Sequence, residues 1–555
     1  MANRQSWIRN NDNSEATEML HQSNINFDDI AEELGELGRY QIFIYILICL
    51  PVLFGAANSL SYVFTAGIPE YRCLIPECET AESAIYDAPW AKWAIPHGSS
   101  DNQVIGVKSD ICSRYQPKEN ASNCSPDSYT NTIIHCSEWV FSTVERTIVN
   151  DWNLTCIENQ WKVSLVGSSH FTGIIVGSFV SGVLADRYGR KGVFVCCIFL
   201  MTAAGVLQIL SSDYWIFVFL IFLNSVGTAG VYPLAFIIGV EMVGKNKREV
   251  TGIVLNYFYA IGEAIIAPIA YYIRDWTHLQ LIVSAPAIIF MVYYWIIPES
   301  VRWLLAKRRM EKAKQIILKV AKYNKVTLSE NTMECLKQSI TLTEGNEPDK
   351  STKIYPVVKD MLLSKKMIIR FLIVYFIWVV NAFIFYGLSI NSTSLGGNKY
   401  INFALVSLVE IPGYTIAWVS IKKLGRRISL VGSLLLCGVT CTLTIFVQST
   451  NFEWAVILLF LTGKFGITAA FGISYVYTAE MLPTVIRSGG VGSASTVSRF
   501  GALLAPFVPL LGLYFDPLPM IVFGVAGITA GLMALKLPET FGLKLPETSE
   551  EAKLL

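Results

Sequence analysis

Long apolar runs alternate with short polar stretches from Tyr40 to Leu537. Twelve of these runs approach the ~20 residues that an α-helix needs to cross the hydrocarbon core of a bilayer. The pattern predicts an all-α membrane protein with twelve transmembrane helices. We place the spans at residues 40–64, 161–184, 191–211, 214–243, 250–273, 279–297, 367–390, 401–421, 428–447, 452–481, 488–514 and 518–537.

A dense group of charges from Asp186 to Lys191 separates the second predicted span from the third. Short loops rich in Lys and Arg resist translocation, so this turn marks the cytoplasmic face of the membrane. Odd-numbered spans then run outward, and both termini are expected to be cytoplasmic.

The charged turn is repeated in the second half of the sequence. Gly189-Arg190-Lys191 is matched by Gly425-Arg426-Arg427 at an offset of 236 (425 minus 189). Two further pairs recur at offsets of 239 (480 minus 241) and 240 (538 minus 298). A parallel repeat of this kind predicts two pseudo-symmetric six-helix bundles, residues 40–298 and 367–540. The further pairs are Glu241 and Arg248 with Glu480 and Arg487, and Pro298-Glu299 with Pro538-Glu539.

Polar segments flank and join the two bundles. Residues 1–39 and 541–555 are predicted to be cytoplasmic tails, with a short helix near Phe27 to Leu37. Residues 299–366 are predicted to be a cytoplasmic loop, which holds 15 Lys or Arg against 8 Asp or Glu. Helical spacing from Val301 to Tyr323 predicts one helix in this loop.

Residues 65–160 are predicted to form a large extracellular loop. An even number of cysteines there favours disulfides in an oxidising exterior, although six cysteines allow 15 pairings. Asn-x-Ser/Thr patterns predict glycosylation in this loop and after the seventh span. The cysteines are Cys73, Cys78, Cys112, Cys124, Cys136 and Cys156, and the acceptors are Asn120, Asn123, Asn153 and Asn391.

Composition supports a membrane protein, because 53% of the residues are hydrophobic and only 16% are charged. No phosphate loop, nucleophile constellation or metal-ligand pattern points to an enzyme or to a bound metal. We expect the lipid bilayer and a small organic ion as partners, and no nucleic acid; the oligomeric state is not predicted.

Four ionisable residues lie deep within predicted spans: Glu263, Glu410, Lys464 and Arg499. Each costs roughly 2.5–3.5 kcal/mol at the centre of a bilayer, so such groups normally face a cavity or a partner. We predict that they face a central chamber between the bundles, where carriers hold substrate. The alternative is that Glu263 or Glu410 only neutralises Lys464 or Arg499 in a buried pair.

Aromatic residues share helix faces with these charges. Asn256, Tyr259 and Glu263 are spaced i, i+3, i+7, and Trp378, Asn381 and Phe385 have the same spacing. Aromatic ring faces attract organic cations, although such stripes also simply pack helices together.

The motifs resemble those of the major facilitator superfamily and, within it, of the organic cation, anion and zwitterion transporter family, from about Phe27 to Pro546. The resemblance implies two six-helix bundles and a central cavity. Cation-selective relatives carry Asp at the position of Arg499, whereas Ser498-Arg499-Phe500-Gly501 is most similar to the carnitine-type version. The residues that the resemblance places in the cavity are Tyr232, Asn256, Tyr259, Trp378, Phe385, Glu410 and Arg499.

Charged residues at the cytoplasmic ends of the spans are predicted to act as a conformational latch, whose ion pairs hold the outward-facing state and break as the carrier rocks inward. The second half lacks a counterpart of Asp186, so its latch is expected to be weaker or to draw its acid from Glu480. The predicted latch residues are Asp186, Arg187, Arg190, Glu241, Arg248, Arg426, Arg427, Glu480 and Arg487.

The sequence therefore predicts a plasma-membrane carrier of small organic cations or zwitterions, such as a betaine or carnitine, that works by alternating access. Arg499 with its forked donors suits a carboxylate, whereas Glu410 and Glu263 suit an ammonium group. The alternatives are an organic anion exchanger and a non-transporting receptor on the same fold. No cofactor is predicted, and coupling to Na+ or H+ is left open.

Overall fold

The computed structural model describes residues 27–80, 82–96, 112–118, 124–330, 332–333, 361, 363–448, 452–483, 486–543, 545–546 and 548–554. In this part of the chain, eleven helices are long and apolar enough to cross a membrane, and a shorter apolar helix, Leu518–Ala534, follows them. The predicted set of twelve spans is therefore confirmed, and the largest error in a bound is five residues (161 minus 156). In order, the eleven longer spans are Arg39–Thr65, Cys156–Tyr188, Arg190–Leu210, Tyr214–Met242, Arg248–Tyr272, Trp276–Ile296, Lys365–Ser394, Lys399–Leu424, Arg426–Gln448, Glu453–Met481 and Arg487–Tyr514.

Several spans change their helical geometry along their length, and three of them do so within the span rather than at its end. The sixth contains the 3-10 segment Ala285–Val292, and the eleventh contains the 3-10 segment Ala505–Phe507; each begins with a proline at its second position. Proline lacks the amide hydrogen that an α-helix needs and clashes with the preceding turn. The eighth span divides into Lys399–Leu408 and Glu410–Leu424, which places Glu410 at a helix start.

Short helices lie outside the spans. Residues 301–324 form two helices where one was predicted, because Arg308 adopts a left-handed backbone conformation (φ 56°) between them. That prediction of a single helix is wrong. Among the described residues, the α-helices outside the spans are Phe27–Glu33, Ala91–Ala94, Ile148–Asp151, Val301–Ala306, Met310–Asn324 and Ser549–Leu554.

A small disulfide-linked domain follows the first span. Strand β1 (Tyr71–Cys73) pairs antiparallel with β4 (Trp139–Phe141), and β2 (Ser113–Pro117) pairs antiparallel with β3 (Tyr129–His135). We call the end of the bundle that carries this domain the disulfide face, and the end that carries the Gly189–Lys191 turn the basic face.

The predicted disulfides form within this domain, and they join Cys73 to Cys136, Cys78 to Cys124 and Cys112 to Cys156. Asn153 is exposed in a turn, and its glycosylation stays a prediction, whereas Asn120 and Asn123 lie outside the described residues. Asn391 is only 4% exposed at the end of the seventh span. The amide nitrogen of Asn391 has no accessible surface in this conformation, and its glycosylation stays a prediction.

Candidate functional site

Arg499 lies at the centre of the interface between the two bundles. Its Nη1 donates a hydrogen bond to the Tyr386 hydroxyl at 3.1 Å, and it interacts electrostatically with Tyr475 and Tyr259. The side chain is half-buried, and no carboxylate among the described residues forms an ion pair with it. Arg499 therefore places a guanidinium without an acidic partner among the described residues in the region between the bundles, where the sequence predicts the chamber.

Lys464 has a different environment at similar depth. Its Nζ lies 2.8 Å from Oε1 of Glu410, and both side chains have 0% exposure. Nζ also donates to the Ser389 hydroxyl and the Phe385 carbonyl, and it lies 3.3 Å from the centroid of the Phe385 ring. This is the buried pair that the sequence allowed as the alternative to substrate contact.

Glu263 completes this group from the opposite bundle. Its side chain is fully buried, and its carboxyl group interacts with the Tyr259 hydroxyl of the same span. It interacts with Glu410 and Lys464 across the interface. Glu263 and Glu410 thus lie close together but have no accessible surface in this conformation, and their roles in substrate binding stay predictions.

A polar and aromatic wall faces Arg499 from the first bundle. The Tyr232 hydroxyl donates to Oδ1 of Asn256 at 2.8 Å, and the Tyr232 and Tyr259 rings meet edge to face with centroids 5.4 Å apart. These three predicted cavity residues are all half-buried, so each retains surface toward the chamber.

The predicted aromatic residues of the seventh span are buried more deeply. Trp378 has no exposed surface, donates its indole N–H to Thr478 and packs against Tyr475, with ring centroids 4.5 Å apart. Phe385 is 2% exposed and lies beneath Lys464. In this conformation both support the chamber wall from behind, and their contact with substrate stays a prediction.

Contacts between the bundles close the chamber at the disulfide face. Phe64 packs against Tyr400 and Phe403, Ser168 donates to the Leu503 carbonyl, and Phe171 meets Tyr386. These contacts join the two bundles on the side of the predicted chamber that is nearer the disulfide face.

The disulfide domain reinforces this closure. Glu145 accepts hydrogen bonds from Nζ of Lys399 at 2.5 Å and from the Tyr400 hydroxyl at 2.9 Å. Glu145 belongs to the domain of the first bundle, whereas Lys399 and Tyr400 begin the eighth span. The pair was missed from the sequence, because neither residue belongs to a recognisable pattern.

Predicted latch residues of the first bundle pair within that bundle. Arg190 lies 2.7 Å from Asp186 and 3.8 Å from Glu241. Arg187 lies over the ring of Tyr188, and Arg248 begins the fifth span. Their role in holding the outward-facing state stays a prediction.

The second bundle has a tighter version of this cluster. Arg426 donates from Nε and Nη2 to Glu480, at 2.8–3.1 Å, which supplies the expected acid. Arg427 and Arg487 donate instead to the carbonyls of Leu537 and Leu482. The geometry therefore does not support a weaker pairing in the second half.

The repeated Pro-Glu motif has a role that the sequence did not reveal. Glu299 accepts hydrogen bonds from the backbone amides of Arg190 and Lys191, and Glu539 accepts them from those of Arg426 and Arg427. Each carboxylate thereby caps a helix start, where the helix dipole favours negative charge. The recurrence of Pro-Glu at an offset of 240 residues was the sequence signal from which this shared role could have been inferred.

Electrostatics keep the second of these caps charged. Burial raises the pKa of Glu539, but four backbone amides, led by that of Arg426, outweigh it and hold the pKa below its usual value of 4.5. The folded pKa is thus depressed. The cap therefore stabilises the fold fully above pH 4.5, and this contribution is lost as the pH falls through the folded pKa.

One ion pair at the basic face joins the two bundles. Glu249 lies 2.9 Å from Lys422 and accepts a hydrogen bond from the Trp418 indole. Sequence reasoning missed this pair because both residues lie just outside the repeated motifs. Among the described residues, no group of three or more His, Cys, Asp or Glu side chains is placed to hold a metal ion.

Comparison with known proteins adds independent information. Residues 114–552 match the family described as "Sugar (and other) transporter". The chain is 35% identical to the "Organic cation transporter protein" of Drosophila melanogaster, over 95% of this chain and 94% of that protein. It is 33% identical to the human "Organic cation/carnitine transporter 2", over 95% of this chain and 93% of that protein.

The structure is also similar to solved transporters. The partially occluded inward-open structure of the xylose transporter XylE from E. coli has a TM-score of 0.61 and 14% sequence identity. The match covers 91% of this chain and 100% of the XylE chain. At this identity the similarity supports the fold alone. The substrate has to be inferred from the side chains at the candidate site.

Proposed function

We infer the function from one premise: this chain belongs to the organic cation/carnitine transporter family, within the major facilitator superfamily. The family consists of membrane transporters, so the protein is a carrier and not an enzyme. Carriers of this fold work by alternating access, in which two bundles rock about a central site.

The substrate that we propose is a small organic cation with a quaternary or protonated amine. In the preferred case it also carries a carboxylate and is therefore a zwitterion. The observation that carries this proposal is Arg499, an available guanidinium deep in the interface with no acidic partner among the described residues. A guanidinium binds a carboxylate through two parallel charge-assisted hydrogen bonds. The tyrosines around it offer ring faces to an ammonium group.

The same observation favours a second candidate. A cavity whose available charge is a guanidinium also suits a simple organic anion, so an organic anion exchanger is the alternative. Glu263 and Glu410 do not favour it, because the adjacent cluster contains two carboxyl groups and only one ammonium group.

The location that we propose is the plasma membrane, with both termini in the cytoplasm. The three disulfides support an extracellular position for the disulfide face, because disulfides persist in oxidising compartments. The basic loops support a cytoplasmic position for the other face.

Three related probes test this function in proteoliposomes of purified protein. They are 4-(trimethylammonio)butyrate with both charges, butyltrimethylammonium with the cation alone, and butyrate with the carboxylate alone. We expect uptake to fall in that order. If butyrate is the probe that is transported best, the protein is an anion exchanger. If a probe binds but is not taken up, the protein is a non-transporting receptor.

A further inference from the structure

His170 is a buried polar side chain in the second span, with only 1% of its surface exposed. Its Nδ1 lies 2.6 Å from the Ser225 hydroxyl, and its Nε2 lies 3.1 Å from the Ser59 hydroxyl. A neutral imidazole has one donor and one acceptor nitrogen, and a hydroxyl can serve as either partner. The ring therefore bridges a serine of the fourth span to a serine of the first span.

Aromatic neighbours hold the imidazole ring in this position. The rings of Tyr62 and Phe171 lie 5.6 Å and 5.2 Å from it, measured between centroids. Interior side chains packed in this way have little freedom to change rotamer. The two ring nitrogens of His170 are thus kept directed at Ser225 and Ser59.

The hydrogen-bonded network extends from Ser59 to a residue of the predicted chamber. The Ser59 hydroxyl interacts with the hydroxyl of Tyr259 in the fifth span. The Tyr259 ring also meets the Tyr232 ring edge to face, it is half-buried, and Arg499 interacts with it. Because satisfied polar networks rigidify a buried region, the position of the Tyr259 ring depends on Ser59 and, behind it, on His170.

We propose that His170, acting through Ser59, is a positioning residue that fixes the Tyr259 ring for the ammonium group of the substrate. This inference rests on the proposed function and adds a residue that determines its specificity. The attraction between a cation and an aromatic ring requires the cation to lie over the ring face, within about 6 Å of the centroid. A tyrosine whose hydroxyl is not held can tilt and lose this geometry. His170 thus acts on the cationic end of the substrate, whereas Arg499 acts on the carboxylate.

The first test interrupts the network at Ser59 without changing either ring. Calorimetry on the purified protein measures the affinity for butyltrimethylammonium. We expect Ser59→Ala to weaken binding by roughly 2- to 12-fold, which corresponds to one neutral hydrogen bond. Ser59→Thr keeps the hydroxyl and should bind the probe like the wild type. A wild-type affinity in Ser59→Ala would overturn the inference.

Ser284→Ala is the matched control, because it makes the same change at another buried serine of the first bundle. The Ser284 hydroxyl donates to Oδ1 of Asn58 and accepts from Nε2 of Gln280. We expect this variant to lower the thermal unfolding midpoint about as much as Ser59→Ala, but to keep the wild-type affinity. An equal loss of affinity in both alanine variants would show that Ser59 only packs the bundle, and would overturn the inference.

The second test measures the coupling between His170 and Tyr259. His170→Phe keeps an aromatic ring and removes the nitrogens, and Tyr259→Phe removes only the hydroxyl. Each change should weaken butyltrimethylammonium, and the double variant should be no weaker than the weaker single variant, because both changes interrupt one network. Fold-changes that multiply would instead indicate two independent contributions and would overturn the inference.

Butyrate separates a role in positioning the ammonium site from a general effect on the predicted chamber. It has no ammonium group, so its affinity should be unchanged in Ser59→Ala and His170→Phe; an equal loss for butyrate would overturn the inference and leave the proposed function intact. A wild-type protein that binds none of the three probes would instead refute the proposed substrate class. If His170→Phe does not fold, the two Ser59 variants and Ser284→Ala decide alone.

Discussion

Lys464 and Arg499 place two cations in the same six-helix bundle at similar depth. Lys464 has no accessible surface, is paired with Glu410 and donates two further hydrogen bonds to the seventh span. Arg499 keeps accessible surface, and the Tyr386 hydroxyl is the side chain to which it donates. The two residues thus have the same charge. The protein itself satisfies the hydrogen-bond donors of Lys464, whereas Arg499 keeps donors without a partner among the described residues.

This difference separates structural charges from charges that are available to a substrate. A buried ion pair is satisfied internally, and its members cannot leave one another without a large desolvation cost. A guanidinium with spare donors and solvent access can bind an incoming carboxylate instead. Arg499 is therefore the better candidate for recognition, and Lys464 for assembly of the second bundle.

The largest expected effect comes from breaking the Lys464 pair. Lys464→Met leaves Glu410 buried without its cation, which should cost about 3–5 kcal/mol of stability. We expect a markedly lower thermal unfolding midpoint in detergent and a smaller yield of folded protein. The double variant Lys464→Met/Glu410→Gln removes both charges and should recover much of this loss. A single variant as stable as the wild type would show that the pair does not hold the bundle together.

Removing Arg499 should affect transport rather than folding. Arg499→Ala removes charge-assisted hydrogen bonds worth about 1.5–3 kcal/mol, which corresponds to roughly 10- to 150-fold in affinity. We expect this loss for 4-(trimethylammonio)butyrate, with an unfolding midpoint close to that of the wild type. Butyltrimethylammonium is the control, because it has no carboxylate to lose its partner. An equal loss for both probes would indicate that Arg499 shapes the chamber and does not select the substrate.

The fold was largely predictable because a bilayer imposes strong constraints on sequence. Apolar runs of fixed length and the basic turns at Gly189–Lys191 and Gly425–Arg427 located the spans to within a few residues. The break at Arg308 was not predictable, because the apolar spacing continues across a residue whose backbone reverses. The disulfide pairing was also open, since six cysteines within one loop allow many connectivities.

The sequence predicted which residues form the candidate site, but not which of them pair with each other. Depth in the spans identified Lys464 and Arg499 equally well, because the cost of a charge in a membrane depends on depth. Depth does not reveal which cation finds an acid, since that depends on how the eighth and tenth spans face each other. Tyr386, adjacent to the predicted Phe385, was missed because it lies outside the spacing that indicated the aromatic stripe.

The smallest expected effect concerns the Tyr386 hydroxyl, which orients Arg499. Tyr386→Phe removes one hydrogen bond, worth about 0.5–1.5 kcal/mol, or roughly 2- to 12-fold in affinity for 4-(trimethylammonio)butyrate. The matched control is Tyr375→Phe, which removes a hydroxyl that also joins the seventh and eleventh spans, through Ser493. If Tyr386 acts by positioning the guanidinium, its variant should weaken the zwitterion more than butyltrimethylammonium, whereas the Tyr375 variant should not distinguish them. Equal behaviour of the two variants would mean that the hydroxyl only joins two helices, and Arg499 would then be oriented by the chamber as a whole.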